Sequence, residues 1–135
     1  MPVGSTGNDI MPMVRRAVVD PSITAAVRDA SQATGTQFDL LMASAKIESG
    51  FRPDARAATS SATGLFQFTE QTWLQAVRTY GGQHGLTEEA GSIVERGGRL
   101  TIEDSAVRQK VLALRSDPQV ASAMAGNHLR EIAEK

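Results

Sequence analysis

Apolar side chains in this chain recur every three or four residues, and polar punctuation divides them into five helical segments. Asp20-Pro21 reads as a cap followed by a first-turn proline, with Ile23, Val27 and Ala30 on one face and Gly35 as the stop. A second helix spans Phe38 to Ser49. Thr69 caps a third, with Glu70 at its positive end and Trp73, Val77 and Tyr80 as its stripe, ended by Gly81-Gly82. Thr101 is expected to cap a fourth carrying Val107, Val111 and Leu114. Asp117-Pro118 repeats the first signal for a last helix through Met124, Leu129 and Ile132. Between the third and fourth, residues 83–100 are glycine-punctuated, with at most a short helix around Glu88. No alternating strand pattern stands out, so the class is all-α.

The Phe38–Ser49 helix has only Asp39, Lys46 and Glu48 as charged members. At about 100° per residue, Leu41, Ala45 and Glu48 share one side while Lys46 points nearly opposite. A helix so apolar is expected to be central and buried. Glu48 would then lie against apolar surface at the negative end of the helix dipole, and both effects disfavour an ionised carboxyl. A carboxyl that keeps its proton is what general acid catalysis requires. The plainer alternative is a surface glutamate, or one paired with Arg52. Residues 50–64 read as a loop, with Gly50, Pro53, Ser60, Ser61 and Gly64.

At 135 residues the chain fits one domain, able to bury roughly two-thirds of its unfolded surface. Aromatics make up 4%, so the core must rest on Ala, Leu, Val, Ile and Met, which suits close-packed helices. A net charge of −1 gives no reason to expect a nucleic-acid or anionic-membrane partner. No run is long enough for membrane insertion, and the N-terminus lacks a signal-peptide core. Without cysteine, and with only His84 and His128, the composition does not suit a structural zinc site. Residues 1–19 read as a flexible lead-in and 20–135 as the folded domain.

Three stretches carry a resemblance: Ala45-Lys46-Ile47-Glu48-Ser49-Gly50-Phe51-Arg52-Pro53-Asp54-Ala55, then Ala62-Thr63-Gly64-Leu65-Phe66-Gln67-Phe68, and Thr72-Trp73-Leu74. Together they resemble the soluble lytic transglycosylases with a goose-lysozyme-like catalytic domain, over about Leu40 to Leu86. The resemblance implies a lysozyme-like helical fold and cleavage of the β-1,4 bond between N-acetylmuramic acid and N-acetylglucosamine in peptidoglycan. The glutamate matching Glu48 would protonate the glycosidic oxygen. It would then deprotonate the muramoyl C6 hydroxyl, which closes onto C1 as a 1,6-anhydro end. Ser49, Gly64, Leu65, Phe66 and Gln67 match substrate-binding or cleft positions, while Phe68 and Trp73 are assigned to packing. For Ser49 a polar helix terminus, and for Gly64 a simple turn, are equally consistent with the residues alone. The resemblance implies no cofactor and no metal.

The family's downstream Ala-Tyr-Asn-type segment has no match, since Gly126-Asn127-His128 lies in a helix pattern and Tyr80 comes too early. Three explanations stay open: truncation at the C-terminus, a natural short form lacking that segment, or a divergent branch that uses another residue. Two other functions stay open: a lysozyme-type hydrolase recruiting a carboxylate such as Asp54, and a non-catalytic glycan-binding or docking module. Peptidoglycan as partner implies the periplasm or cell envelope. A removed leader, a secretion or flagellar machine, or phage lysis would each serve as the route out, and no feature names a protein partner.

Overall fold

The computed structural model describes residues 19–134, so the expected lead-in lies outside the described residues except for Val19. Helix α1 (Pro21–Thr34) leads into α2 (Phe38–Ser49), an irregular loop, and α3 (Glu70–Tyr80). A 3-10 turn over Gly81–His84, a short α4 (Thr87–Gly91) and strands β1 (Ile93–Arg96) and β2 (Arg99–Ile102) follow. The chain ends with α5 (Ser105–Ala113), a 3-10 turn over Leu114–Ser116, and α6 (Pro118–Ala133). The fold is all-α apart from one hairpin. Among the described residues no helix is long and apolar enough to cross a membrane.

Helix ends follow the capping residues closely. Asp20 accepts from Ser22 N at 2.8 Å, Thr69 from Thr72 N at 3.3 Å, and Asp117 from Gln119 N at 2.9 Å. Gly35 and Gly50 close α1 and α2 in the left-handed conformation. Two expectations need correction. The fourth long helix is capped by Asp104, whose side chain accepts from Ala106 N and Val107 N, whereas Thr101 sits in β2. The hairpin itself was not anticipated. Gly97 and Gly98 both have positive φ, at 58° and 79°, as a two-residue turn between twisted strands requires. That register pairs Ile93 with Ile102, and both are buried. Gln71 ties the hairpin to α3, donating to Leu100 O at 2.8 Å and accepting from Leu100 N at 3.0 Å.

The core lies between α1, α3 and α6, and α1 packs along α6 more extensively than any other two elements pack. Trp73 is at its centre, wholly buried, with its indole N–H on Val111 O at 2.8 Å. Helix α2, expected to be central, is peripheral. It buries Leu41, Ala45 and Ser49 and turns Leu40 and Ile47 to solvent, Ile47 at 81% exposure. Apolar composition alone does not bury a helix: only the stripe at Leu41, Ala45 and Ser49 is buried, with Phe38 and Met42 partly covered beside it.

At the α1–α6 crossing, Thr36 Oγ1 donates to Gly126 O. A β-carbon on Gly126 would lie 2.5 Å from Thr34 Oγ1. Thr34 has little freedom to move, being β-branched and donating to Ala30 O at 2.8 Å. Steric overlap therefore outweighs the better helix propensity of alanine, and Gly126→Ala is expected to destabilise the fold by about 1–3 kcal/mol. Urea unfolding checks this, and a variant as stable as the parent would mean that the two helices do not approach so closely.

The Asp20 cap predicts a pH dependence. Hydrogen bonds from the Ser22 hydroxyl and then the Ser22 backbone hold its carboxyl below the ordinary value of 3.8, slightly opposed by desolvation. The folded chain thus binds this proton more weakly than the unfolded chain does. The stabilisation is complete above the unfolded value and is lost as pH falls through the lowered folded one. Asp20→Ala should lower the melting temperature at pH 7, with the gap to the parent narrowing in acid. A gap independent of pH would remove the carboxylate from the explanation.

Candidate active site

The loop from Gly50 to Thr69 has no regular secondary structure, so its polar backbone needs other partners. Ala55 O accepts from Gly64 N at 2.8 Å and from Gln67 Nε2 at 3.0 Å. Gln67 Nε2 also donates to Gly64 O at 2.8 Å, and Thr63 N donates to Phe68 O at 3.0 Å. Gly64 has φ of 91°, and a β-carbon there would stand 2.0 Å from the carbonyl oxygen of Arg115. Phe51 and Gln67 adopt positive φ, at 66° and 53°, without being glycine. Such outliers persist only where the surroundings over-determine them, and they cluster at functional sites.

The loop presents Phe66, Gln67, Phe68 and Thr69 to a groove of about 220 Å³. Helix α2 contributes Ser44 and Glu48, α3 contributes Thr72, and α6 contributes Ala125, His128, Leu129 and Ile132. A larger hollow of about 770 Å³ adjoins it through Thr72, His128 and Ile132. Polar and charged side chains, including Gln75, Glu95 and Glu131, line that second space. The junction is braced from the core outward. Phe68 meets Trp73 edge-on at 5.1 Å and His128 at 5.9 Å, so His128 stands on an aromatic pillar at the groove wall.

Of the residues singled out from the sequence, Glu48, Phe66 and Gln67 come together in this groove. Glu48 is exposed, which corrects the expectation of a water-shielded carboxyl. Its angular position does place it on the side of α2 that faces the fold. At the last turn, however, that flank looks across an open groove and not onto packed side chains. Arg52 turns away from it and donates Nε to Ser49 O at 3.0 Å.

The other candidates sit elsewhere. Ser49 is buried and donates its hydroxyl to Ala45 O at 3.0 Å, and Leu65 is fully buried in the core. Neither lines the groove. Gly64 lies in the buried part of the loop, where it admits the Arg115 backbone. Gln67 spends both amide hydrogens on the loop, which leaves its Oε1 acceptor for a ligand. Phe68 and Trp73 are buried packing residues, as expected, although Phe68 also reaches the groove.

Ser44 was missed, yet its position one turn before Glu48 puts both on the same flank of α2. His128, read from the sequence as part of a helix pattern, is half-buried at the groove junction. Its place there depends on how α6 crosses the loop, which spacing does not disclose.

Beneath the loop lies Arg115, the only charged side chain buried among the described residues. Burial pulls its guanidinium below the ordinary value, while the charge of Glu70 opposes this and that of Arg56 adds to it. An arginine stays cationic despite such a shift, so its donors need acceptors.

Residues 25–90 match the family model described as Transglycosylase SLT domain. The matched stretch includes Glu48, the whole groove loop and Trp73, and stops before the Leu114–Ser116 turn and α6, which supply Arg115 and His128. Over that stretch the chain is similar to SLT-type lytic transglycosylase domains, a family whose activity is of the peptidoglycan lytic transglycosylase type, and its mostly helical structure agrees with the lysozyme-like, all-α fold of such domains.

Proposed function

We propose that the chain is a peptidoglycan lytic transglycosylase that cleaves the MurNAc–GlcNAc β-1,4 bond with Glu48 as acid and then base. One observation carries this reading: among the described residues, Glu48 is the only carboxylate lining the groove formed by the Phe66–Thr69 loop and α6. A hydrolase of the usual kind needs two carboxyl groups about 5–10 Å apart, one of them to position water or attack the sugar. Asp54 does not line the groove, and Glu95 and Glu131 line the adjoining hollow. An intramolecular displacement requires no second carboxylate. The muramoyl C6 hydroxyl is tethered to the reacting sugar, so geometry replaces the positioned water.

In the first step Glu48 donates its proton to the glycosidic oxygen as the C1–O bond breaks. In the second the carboxylate takes the C6 hydroxyl proton while O6 bonds to C1, which restores the acid and leaves a 1,6-anhydro end. The open setting of Glu48 bears on this directly. A glycan strand filling the groove would itself displace the water that reaches the carboxyl and supply the dry surroundings that proton transfer favours. Phe66 and Leu129 offer apolar walls to sugar faces, and Thr72, Ser44 and Gln67 Oε1 offer hydrogen-bonding groups. Peptidoglycan as substrate places the site of action in the cell envelope or periplasm.

Glu48→Gln keeps shape and removes the transferable proton. Release of anhydro-muropeptides from purified sacculi should fall by roughly 10²–10⁴-fold. Because Glu48 is exposed, stability should stay within about 0.5 kcal/mol of the parent. Product mass decides the chemistry. Reducing ends in place of anhydro ends would favour a hydrolase, and undiminished release by the glutamine variant would remove Glu48 from the mechanism.

A further inference from the structure

We propose that Arg115 is a positioning residue that locks the Ser61–Phe68 loop, and so fixes the Phe66–Gln67 wall opposite Glu48. The inference rests on the transglycosylase reading above and assigns the loop's geometry to a residue far from it in sequence.

The contacts bracket the loop at both ends. Arg115 Nη1 donates to Ser61 O at 2.6 Å and to Phe68 O at 3.1 Å, while Nε donates to Leu112 O at 2.9 Å. One rigid guanidinium thus ties the first and last residues of the segment to the end of α5. Between those anchors, Gly64 closes down on the backbone oxygen of Arg115 itself, in a space that no β-carbon could share. The segment is therefore pinned at its two ends and its middle by a single residue. Phe66 and Gln67, which face Glu48 across the groove, lie within the pinned span.

Stability alone does not account for a cation in this place. A buried charge is costly to desolvate, and a well-packed apolar side chain of similar size often serves a core as well or better. Loop carbonyls would also not be orphaned by its loss. Phe68 O still accepts from Thr63 N, and Ser61 O from Thr63 Oγ1 at 3.2 Å. What the guanidinium supplies is the cross-link: Nη1 alone holds both loop carbonyls while Nε is fixed on Leu112 O, a combination that a lysine ammonium cannot reproduce in full.

The test uses Arg115→Met and Arg115→Lys in the whole chain. Amide hydrogen exchange is followed at Thr63 and Gln67 in the loop and at Val27 and Met124 in the core helices. Rates of anhydro-end formation are measured on soluble glycan strands and separated into kcat and KM. In the methionine variant the loop amides should exchange roughly tenfold faster with the helix amides unchanged, since local opening is a separate event from global unfolding. A misplaced wall should lower kcat on the order of 10²-fold, well beyond any rise in KM, with lysine restoring part of the rate.

Unchanged loop exchange overturns the proposal. So does a loosened loop at full kcat, or faster exchange spread evenly across loop and helices. Absence of anhydro products from the parent would sink the transglycosylase reading instead, and loop exchange would then decide the locking role alone.

Discussion

The groove exists because an irregular stretch of backbone has found partners for its polar groups without forming a helix or strand. Twenty residues separate the end of α2 from the start of α3, and water cannot satisfy those among them that lie under the surface. The solution is a small set of shared acceptors. Ala55 O takes two donors, Gly64 O takes both the Gln67 amide and its backbone N–H, and Phe68 O takes Thr63 N and Arg115. Unusual residues accompany these bonds at fixed places: Gly64 lacks a β-carbon, Gln67 adopts positive φ, and the Arg115 guanidinium is buried below. The Phe66 side chain reaches the groove as a consequence of this arrangement.

Packing then sets the depth and direction of the site. Trp73 anchors α3 to α5 through Val111 O, Phe68 leans on Trp73, and His128 leans on Phe68. This series runs from the centre of the core to the junction of the two hollows. It couples the position of α6 to the loop, so the groove has one wall within the family-matched residues and one outside them. Dispersion contacts among rings are weak singly, but here three rings meet edge-on in series, so a shift of any one would move the wall.

How much of this was legible depends on whether the controlling interaction is local. Asp20, Thr69 and Asp117 act within their own first turns, and each helix begins where its cap predicts. The Ile93–Ile102 hairpin was legible in principle. Gly97-Gly98 between Ile-Val-Glu-Arg and Arg-Leu-Thr-Ile is the sort of two-glycine turn that primed hairpins need, but four-residue strands are too short for alternation to show. Thr101 was misread for the same reason: a threonine before a polar run suits both a strand and a cap. The motif around Glu48 and the Gly64–Phe68 turn was legible as chemistry, and the groove does bring Glu48, Phe66 and Gln67 together. The role of Gln67's amide depends on a contact twelve residues away, and the burial of Ser49 and Leu65 on how the elements pack, which local spacing does not disclose. Arg115 was invisible, because nothing in Leu-Arg-Ser-Asp-Pro distinguishes a buried arginine from a solvated one.

The exposure of Glu48 is the point at which periodicity and packing part ways, and it changes the chemical argument. A helical wheel gives the direction of a side chain but not whether a neighbouring element extends far enough along the axis to cover it. Leu41 and Ala45 are covered, and Glu48, on the same side two turns and one turn later, is not. An acid shielded permanently by protein would be set for proton transfer before substrate arrives. In the proposed reaction, an acid on an open wall depends on substrate for its dry surroundings, so that binding along the groove and activation of the carboxyl would be one event. On the proposed mechanism the loop wall does more than hold sugar. By fixing how closely the glycan fills the space beside Glu48, it sets how completely water leaves the reacting oxygen, which makes the rigidity of Ser61–Phe68 a determinant of rate as well as of affinity.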